Sequence, residues 1–168
     1  MPDPKTLERM RRDKQQGKSP GTQAGEFVRE EIEHVREGKH GARSAKQAIA
    51  NGLSKARRAG VKLPPPRKGA TSPAARHKAK LDLEAGRKAT QPVSAKRSRA
   101  VSIALAREGR QAASPGALAA HARSAARKQT RAERSAAAMQ AVRTKGPAAR
   151  KAAARKAVRT KMRRHTGV

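Results

Sequence analysis

Large apolar side chains are scarce in this chain: Leu, Ile, Val and Phe number 19 of 168 residues, about 11%, while 42 Lys and Arg face 12 Asp and Glu. Highly charged chains with less than roughly 20% of those four residues tend toward disorder, because too little surface leaves water to offset the entropy of ordering the backbone. The length would accommodate one domain, but these side chains cannot fill a large core. Most of the 35% hydrophobic content is Ala, which favours helix and buries little area per residue. The expected class is mainly α with substantial disorder: a short helical hairpin plus extended Ala/Arg/Lys-rich helices with little tertiary core.

A net charge of +30 and a pI near 12.0 exceed what solubility asks of a small protein, and a large anionic partner is the simplest reason to keep them. The chain has no Cys, which removes disulfides and Cys-based metal sites. Its first sixteen residues mix Asp3, Glu8 and Asp13 with basic side chains and hold no apolar run, unlike a secretory signal. No stretch approaches the ~20 apolar residues of a membrane helix. The expectation is a soluble cytoplasmic protein located at the nucleoid.

The charge is unevenly spread. Residues 1–40 carry 9 basic and 8 acidic side chains, whereas residues 86–168 carry 22 basic ones and only Glu108 and Glu133, a net +20. Such asymmetry fits a small folded head with a basic interaction arm. Over 26–37, Val28, Ile32 and Val35 recur at helical spacing beside Phe27, and Gly38 ends the run. Ser44 and Gln47 then make an S-x-x-Q capping box, Ile49 and Leu53 share a face, and Gly60 follows the last turn. The two helices form a hairpin closed off by Pro64, Pro65 and Pro66, which cannot continue a helix. The expected division is a flexible N-terminus at 1–22, the hairpin head at 23–63, a linker at 64–93 with at most a brief helical turn, and a basic helical arm at 94–168.

Within the arm, residues 100–107 echo residues 48–55 but lack an acidic partner helix. Ser114 and Pro115 supply the start of a long helix reaching about Lys145, and Gly146-Pro147 ends it and starts the next. The pattern Arg-x-Ala-Ala-Ala-x-x-Ala-Val-Arg-Thr-Lys occupies 134–145 and returns 16 residues later at 150–161, so each copy reads as one helical segment. In the last helix Ala154, Val158 and Met162 form a stripe and cations fill the remainder. The candidate nucleic-acid-binding residues are Arg97, Arg99, Arg127, Lys128, Arg131, Arg134, Arg143, Lys145, Arg150, Lys151, Arg155, Lys156, Arg159, Lys161, Arg163 and Arg164. Like charges four apart, such as Lys151/Arg155, each cost roughly 0.2–0.5 kcal/mol in water. Phosphates would relieve that repulsion, so helicity should rise on binding.

Other chemistries are poorly served. Phe27 is the only aromatic residue, so the stacking platforms that hold single-stranded bases are missing. No Arg-Gly-Arg-Pro hook is present, and base specificity has no visible source. His34, Glu37 and His40 fall at i, i+3 and i+6 but do not spell H-E-x-x-H; they are expected to be satisfied or exposed side chains, with no metal and no cofactor. There is no Gly-rich phosphate loop, nucleophile elbow or carboxylate cluster, so no enzyme is expected. The arm lacks the Trp, Phe and Leu face of an interfacial helix, which argues against a membrane partner.

The segment Glu33-His34-Val35-Arg36-Glu37-Gly38-Lys39-His40-Gly41, followed by Ser44-Ala45-Lys46-Gln47-Ala48-Ile49-Ala50, resembles a bacterial family of small basic proteins of unknown function. That family carries a His-Glu-Phe-Lys-x-Gly-like segment and then Lys-Gln-Ala-Ile-Ala-Ile-Ala-Leu. The likeness covers about residues 26–60 and departs at Asn51 and Gly52, where the family has Ile and Ala, a swap expected to weaken the apolar face of the second helix. The resemblance implies a bacterial source and brings no activity with it. The arm is similar in composition to linker-histone tails and bacterial histone-like proteins. The leading expectation is therefore a histone-like or nucleoid-associated protein that binds duplex DNA without sequence preference and compacts or bridges it, with self-association through the hairpin. The alternatives are an RNA- or ribosome-binding basic protein and a scaffold for an acidic protein partner.

Overall fold

In the structure, a computed structural model, residues 2–88 and 94–165 are described, apart from the side chains of Lys145, Arg164 and His165. The last five residues of the expected linker, 89–93, lie outside the described residues. The architecture is mainly α: helices α1 (Pro4–Gln15), α2 (Pro20–Glu37), α3 (Ala45–Arg58), α4 (Pro73–Ala85), α5 (Ala95–Ala106), a 3-10 turn (Gln111–Ala113), α6 (Pro115–Arg127) and α7 (Arg131–His165). The chain divides into two units, residues 1–121 and 122–168.

The helix boundaries follow local chemistry. Ser19 accepts a hydrogen bond from the Thr22 amide with Pro20 at the first helical position, so α2 starts six residues before the apolar pattern that marks its core face. Gly38, at φ 78°, closes it in the left-handed conformation. At α3 the Ser44 hydroxyl accepts from the Gln47 amide, while the Gln47 side chain reaches back to the Arg43 amide, one residue earlier than in the reciprocal box.

Helix α2 is the spine of the first unit, packed by both α1 and α3, with α4 against α3. Met10, Ala24, Phe27, Ala56 and Val61 form one buried cluster, covered by Leu7, Leu53 and Leu63. Val35, Ala42, Ala48, Ala112 and Ala113 form a second, covered by Ile32. Both are Ala-rich, so the helices must approach closely to exclude water. A Cβ on Gly52 would lie 2.6 Å from the Val28 Cα, so the α2–α3 crossing admits only glycine there. Of the Asn51-Gly52 departure, Gly52 has a packing reason: it is where two backbones meet.

Three segments are more ordered than their composition suggested. The expected flexible N-terminus contains α1, which buries Met10 against Phe27. The expected linker contains α4, held by the buried Asp82 carboxylate. Asp82 accepts from the Ser54 hydroxyl at 2.7 Å and from Arg58 at 2.9 Å, and both donors lie on α3. Residues 105–113, expected within the arm, pack on the head: the Gly41 amide donates to the Leu105 carbonyl at 2.9 Å and Ala42 to Gly109 at 3.1 Å. Arg36 donates to the Ala113 carbonyl at 2.9 Å. Apart from the Met10–Phe27 contact, these contacts are polar or involve small side chains, so apolar periodicity alone does not reveal them. Arg57 is the counterpart of Asp82: buried, it donates to the carbonyls of Leu63 at 3.2 Å and Pro64 at 3.3 Å. Burial pushes its guanidinium down from the ordinary range, opposed by nearby Asp82, and Arg holds its charge even so.

Candidate nucleic-acid interface

The expected continuous helix from Pro115 to about Lys145 is broken at residues 128–130. Thr130 and Glu133 form a full capping box: the Thr130 amide donates to Glu133 at 2.8 Å and the Glu133 amide to the Thr130 hydroxyl at 3.2 Å. Two orphan donors are satisfied reciprocally, which makes a helix start at Arg131 better than continuation through Gln129. The T-x-x-E signal stands in the sequence and marks a boundary that periodicity passes over. Helix α7 is divided again at Gly146, whose φ of 66° and ψ of 171° are non-helical, directly before Pro147. The break falls where Gly146-Pro147 predicts it. The two copies of the repeat sit on either side and repeat in detail: Thr144 donates to the Gln140 carbonyl at 2.8 Å and Thr160 to the Lys156 carbonyl at 3.0 Å.

Of the sixteen candidate residues, Arg97 and Arg99 lie on α5 in the first unit, and the other fourteen lie in the second, from Arg127 at the end of α6 to Arg164 on α7. The Lys145 and Arg164 side chains lie outside the described residues; the other fourteen are all exposed. Between 122 and 163 no described side chain is buried. Val158 and Met162, the apolar stripe, are 55% and 63% exposed, which rules out a core for this unit within its own described residues. Residues 122–168 hold 15 Lys and Arg and one carboxylate, Glu133, itself engaged in the α7 cap. A single carboxylate can neutralise about one cation, so most of the positive charge of this unit exceeds its negative charge.

A further basic surface went unread in the sequence. Lys68, Arg76, His77 and Lys80 line a shallow cleft of about 250 Å³ at the start of α4. Its cations come from a loop and one helix turn each, with no run of charge to announce them.

Eleven of the twelve acidic residues lie in the first unit, and four of them, Asp13, Glu30, Glu31 and Asp82, are buried. Glu30 and Glu31, 3% and 1% exposed, share the Lys55 ammonium at 3.4 and 2.6 Å. The contact with the Glu31 Oε2 is a charge contact off the hydrogen-bonding directions. The other Glu31 oxygen, Oε1, lies 3.4 Å from the His40 Nε2. The His34 Nε2 lies 3.3 Å from the Asp3 carboxylate, and the two imidazoles meet edge to face with centroids 5.9 Å apart. One ligand atom each from Glu31, His34 and His40 fall within 4.8 Å of one another, as do atoms from Asp3, Glu30 and His34. Glu37, the carboxylate that linear spacing suggested, points elsewhere. It pairs with Lys39 at 3.0 Å, and that hydrogen bond raises the Lys39 ammonium above its ordinary value.

Among the described residues no helix is long and apolar enough to cross a membrane. No curated protein and no solved structure matches the chain. Residues 11–68, from within α1 to beyond α3, match a family of unknown function (DUF6496), and the matched span contains the 26–60 segment whose pattern carried the resemblance.

Proposed function

We propose that this chain is a non-enzymatic, histone-like DNA-binding protein of the bacterial nucleoid, which binds duplex DNA without sequence preference and compacts or bridges it. One observation carries the reading: a unit with 15 Lys and Arg and one carboxylate whose described side chains are unburied through residue 163. Such helices gain little from folding alone and much from phosphate. Each neutralised phosphate releases condensed counterions, so engagement of about ten would give a log-log salt slope near −9 on duplex DNA. Guanidinium predominates over ammonium in this unit, which suits bidentate phosphate contacts and insertion into the minor groove. Arg97 and Arg99 on α5 are exposed cations of the first unit.

Duplex DNA is favoured over single-stranded RNA because Phe27, the only aromatic side chain, is fully buried and offers no platform for a base. The test is a salt titration of affinity for duplex DNA and structured RNA of equal length, side by side. The expected result is a steep slope on DNA, indifferent to sequence and at least equal in affinity to RNA. A clear RNA preference would transfer the reading to a ribosome or RNA partner. Weak binding to both at about 0.15 M salt, with saturable binding to an acidic protein, would make the chain a scaffold.

A further inference from the structure

The head contains a polar cluster that the arm's electrostatics do not use. His40 has an oxygen at each ring nitrogen: Nδ1 lies 3.2 Å from its neighbour's carbonyl, Gly41 O, and Nε2 lies 3.4 Å from Glu31 Oε1. A neutral imidazole has one N–H. When Nδ1 donates to the carbonyl, the Nε2 lone pair confronts a carboxylate that is 1% exposed. A cation between them resolves the conflict, and a backbone carbonyl on the far nitrogen is the usual support of a metal-bound histidine.

The geometry fits a small divalent ion. Ligand bonds of 2.0–2.2 Å in a tetrahedron put the ligand atoms about 3.3–3.5 Å apart; the Glu31–His40 separation is 3.4 Å, and the His34 ligand atom lies within 4.8 Å of both. Glu31 and His34 stand at i and i+3 on α2, the Glu-x-x-His spacing that projects carboxylate and imidazole from one helical face. His40 comes from the loop after α2. The charge also agrees. Asp3, Glu30 and Glu31 carry three negative charges; Lys55 contacts Glu30 and Glu31 and the exposed Lys39 ammonium acts on Asp3 and Glu30, so with neutral imidazoles the cluster keeps a net negative charge. Lys55 holds the Glu31 oxygen that faces away from His40 and leaves Oε1 to the ion. Two nitrogens and one carboxylate oxygen select zinc-class ions over magnesium or calcium.

We propose that Glu31, His34 and His40 bind one zinc-class divalent cation, which fastens the α2–α3 loop to α2 and supplements a core made mostly of Ala. A bound ion gives a small scaffold stability that its apolar side chains do not provide.

The test uses the full chain, stripped with chelator and titrated with Zn²⁺ alone by calorimetry and with Co²⁺ by visible absorption. One equivalent should bind, with intense low-coordinate Co²⁺ bands, and the melting temperature should rise with Zn²⁺. His40→Gln should weaken binding at least about tenfold, while the double variant His77→Gln/His121→Gln should bind as the parent does. Should Glu31→Gln or His40→Gln lose the circular dichroism of the folded chain, imidazole ¹⁵N shifts of the unaltered protein decide, since Zn²⁺ must move His34 and His40 first. Absence of uptake by the parent chain, undiminished binding by a folded His40→Gln variant, or shifts confined to other histidines would overturn the proposal.

Discussion

The two units treat charge in opposite ways. In residues 1–121 four of the eleven carboxylates lie inside: Asp13, Glu30, Glu31 and Asp82 are all at most 5% exposed, and they gather Lys18, Lys55 and Arg58 into the fold. In residues 122–168 fifteen cations share one carboxylate and stay in solvent wherever described. A basic residue is therefore not a binding residue by virtue of its charge. Buried Arg57 fastens two loop carbonyls, while Arg155 stays exposed on α7.

The sharpest challenge to that contrast is deletion of residues 130–168, which keeps α6 whole. DNA affinity at moderate salt should fall by about 100-fold or more, roughly 2.7 kcal/mol, while the circular dichroism of the remaining helices persists. Retained affinity would show that the first unit, including the α4 cleft, does the binding. Next in size, Gly52→Ala should destabilise the first unit by about 1–3 kcal/mol in chemical denaturation, since the added methyl meets the Val28 backbone, with no change in the DNA salt slope measured while folded. Asp82→Asn should lower stability by about 1.5–3 kcal/mol by weakening the α3–α4 contacts to Arg58 and Ser54, again without a change in slope.

Arg155→Ala with Arg159→Ala should act the other way: unchanged thermal stability of the first unit, a shallower salt slope by about 2, and equal losses on all sequences. A loss confined to some sequences would expose a base reader on α7. The smallest effect belongs to Thr130→Ala. Removal of the cap should reduce helix stability by about 0.5–2 kcal/mol, visible as lower helicity without DNA and largely restored with it.

The sequence made the hairpin legible because Phe27, Val35, Gly38 and the Ser44 cap are local, strong signals. It also placed the break at Gly146, where φ requires glycine. Helices α1 and α4 were obscure for a physical reason: their anchoring groups are Met10, Asp82 and Ala79 rather than a run of large apolar residues, and Asp82 is recognisable only once Ser54 and Arg58 are brought to it. The Glu31–His34–His40 cluster was half visible, since both histidines could be noted at their spacing. Their carboxylate partner could not, because Glu37 is closer in sequence to His40 but exposed, and the loop turns His40 back toward Glu31. The candidate arm residues followed directly from charge, since exposure is the default for Lys and Arg without carboxylates nearby.

The non-helical Gly146 also governs how the repeated arm can aim. In one unbroken α-helix a displacement of sixteen residues turns the second copy about 160° from the first, so equivalent arginines would look in nearly opposite directions. A residue outside the helical region breaks that phase relation, so the direction in which the second copy's arginines look is not set by the helical register of the first.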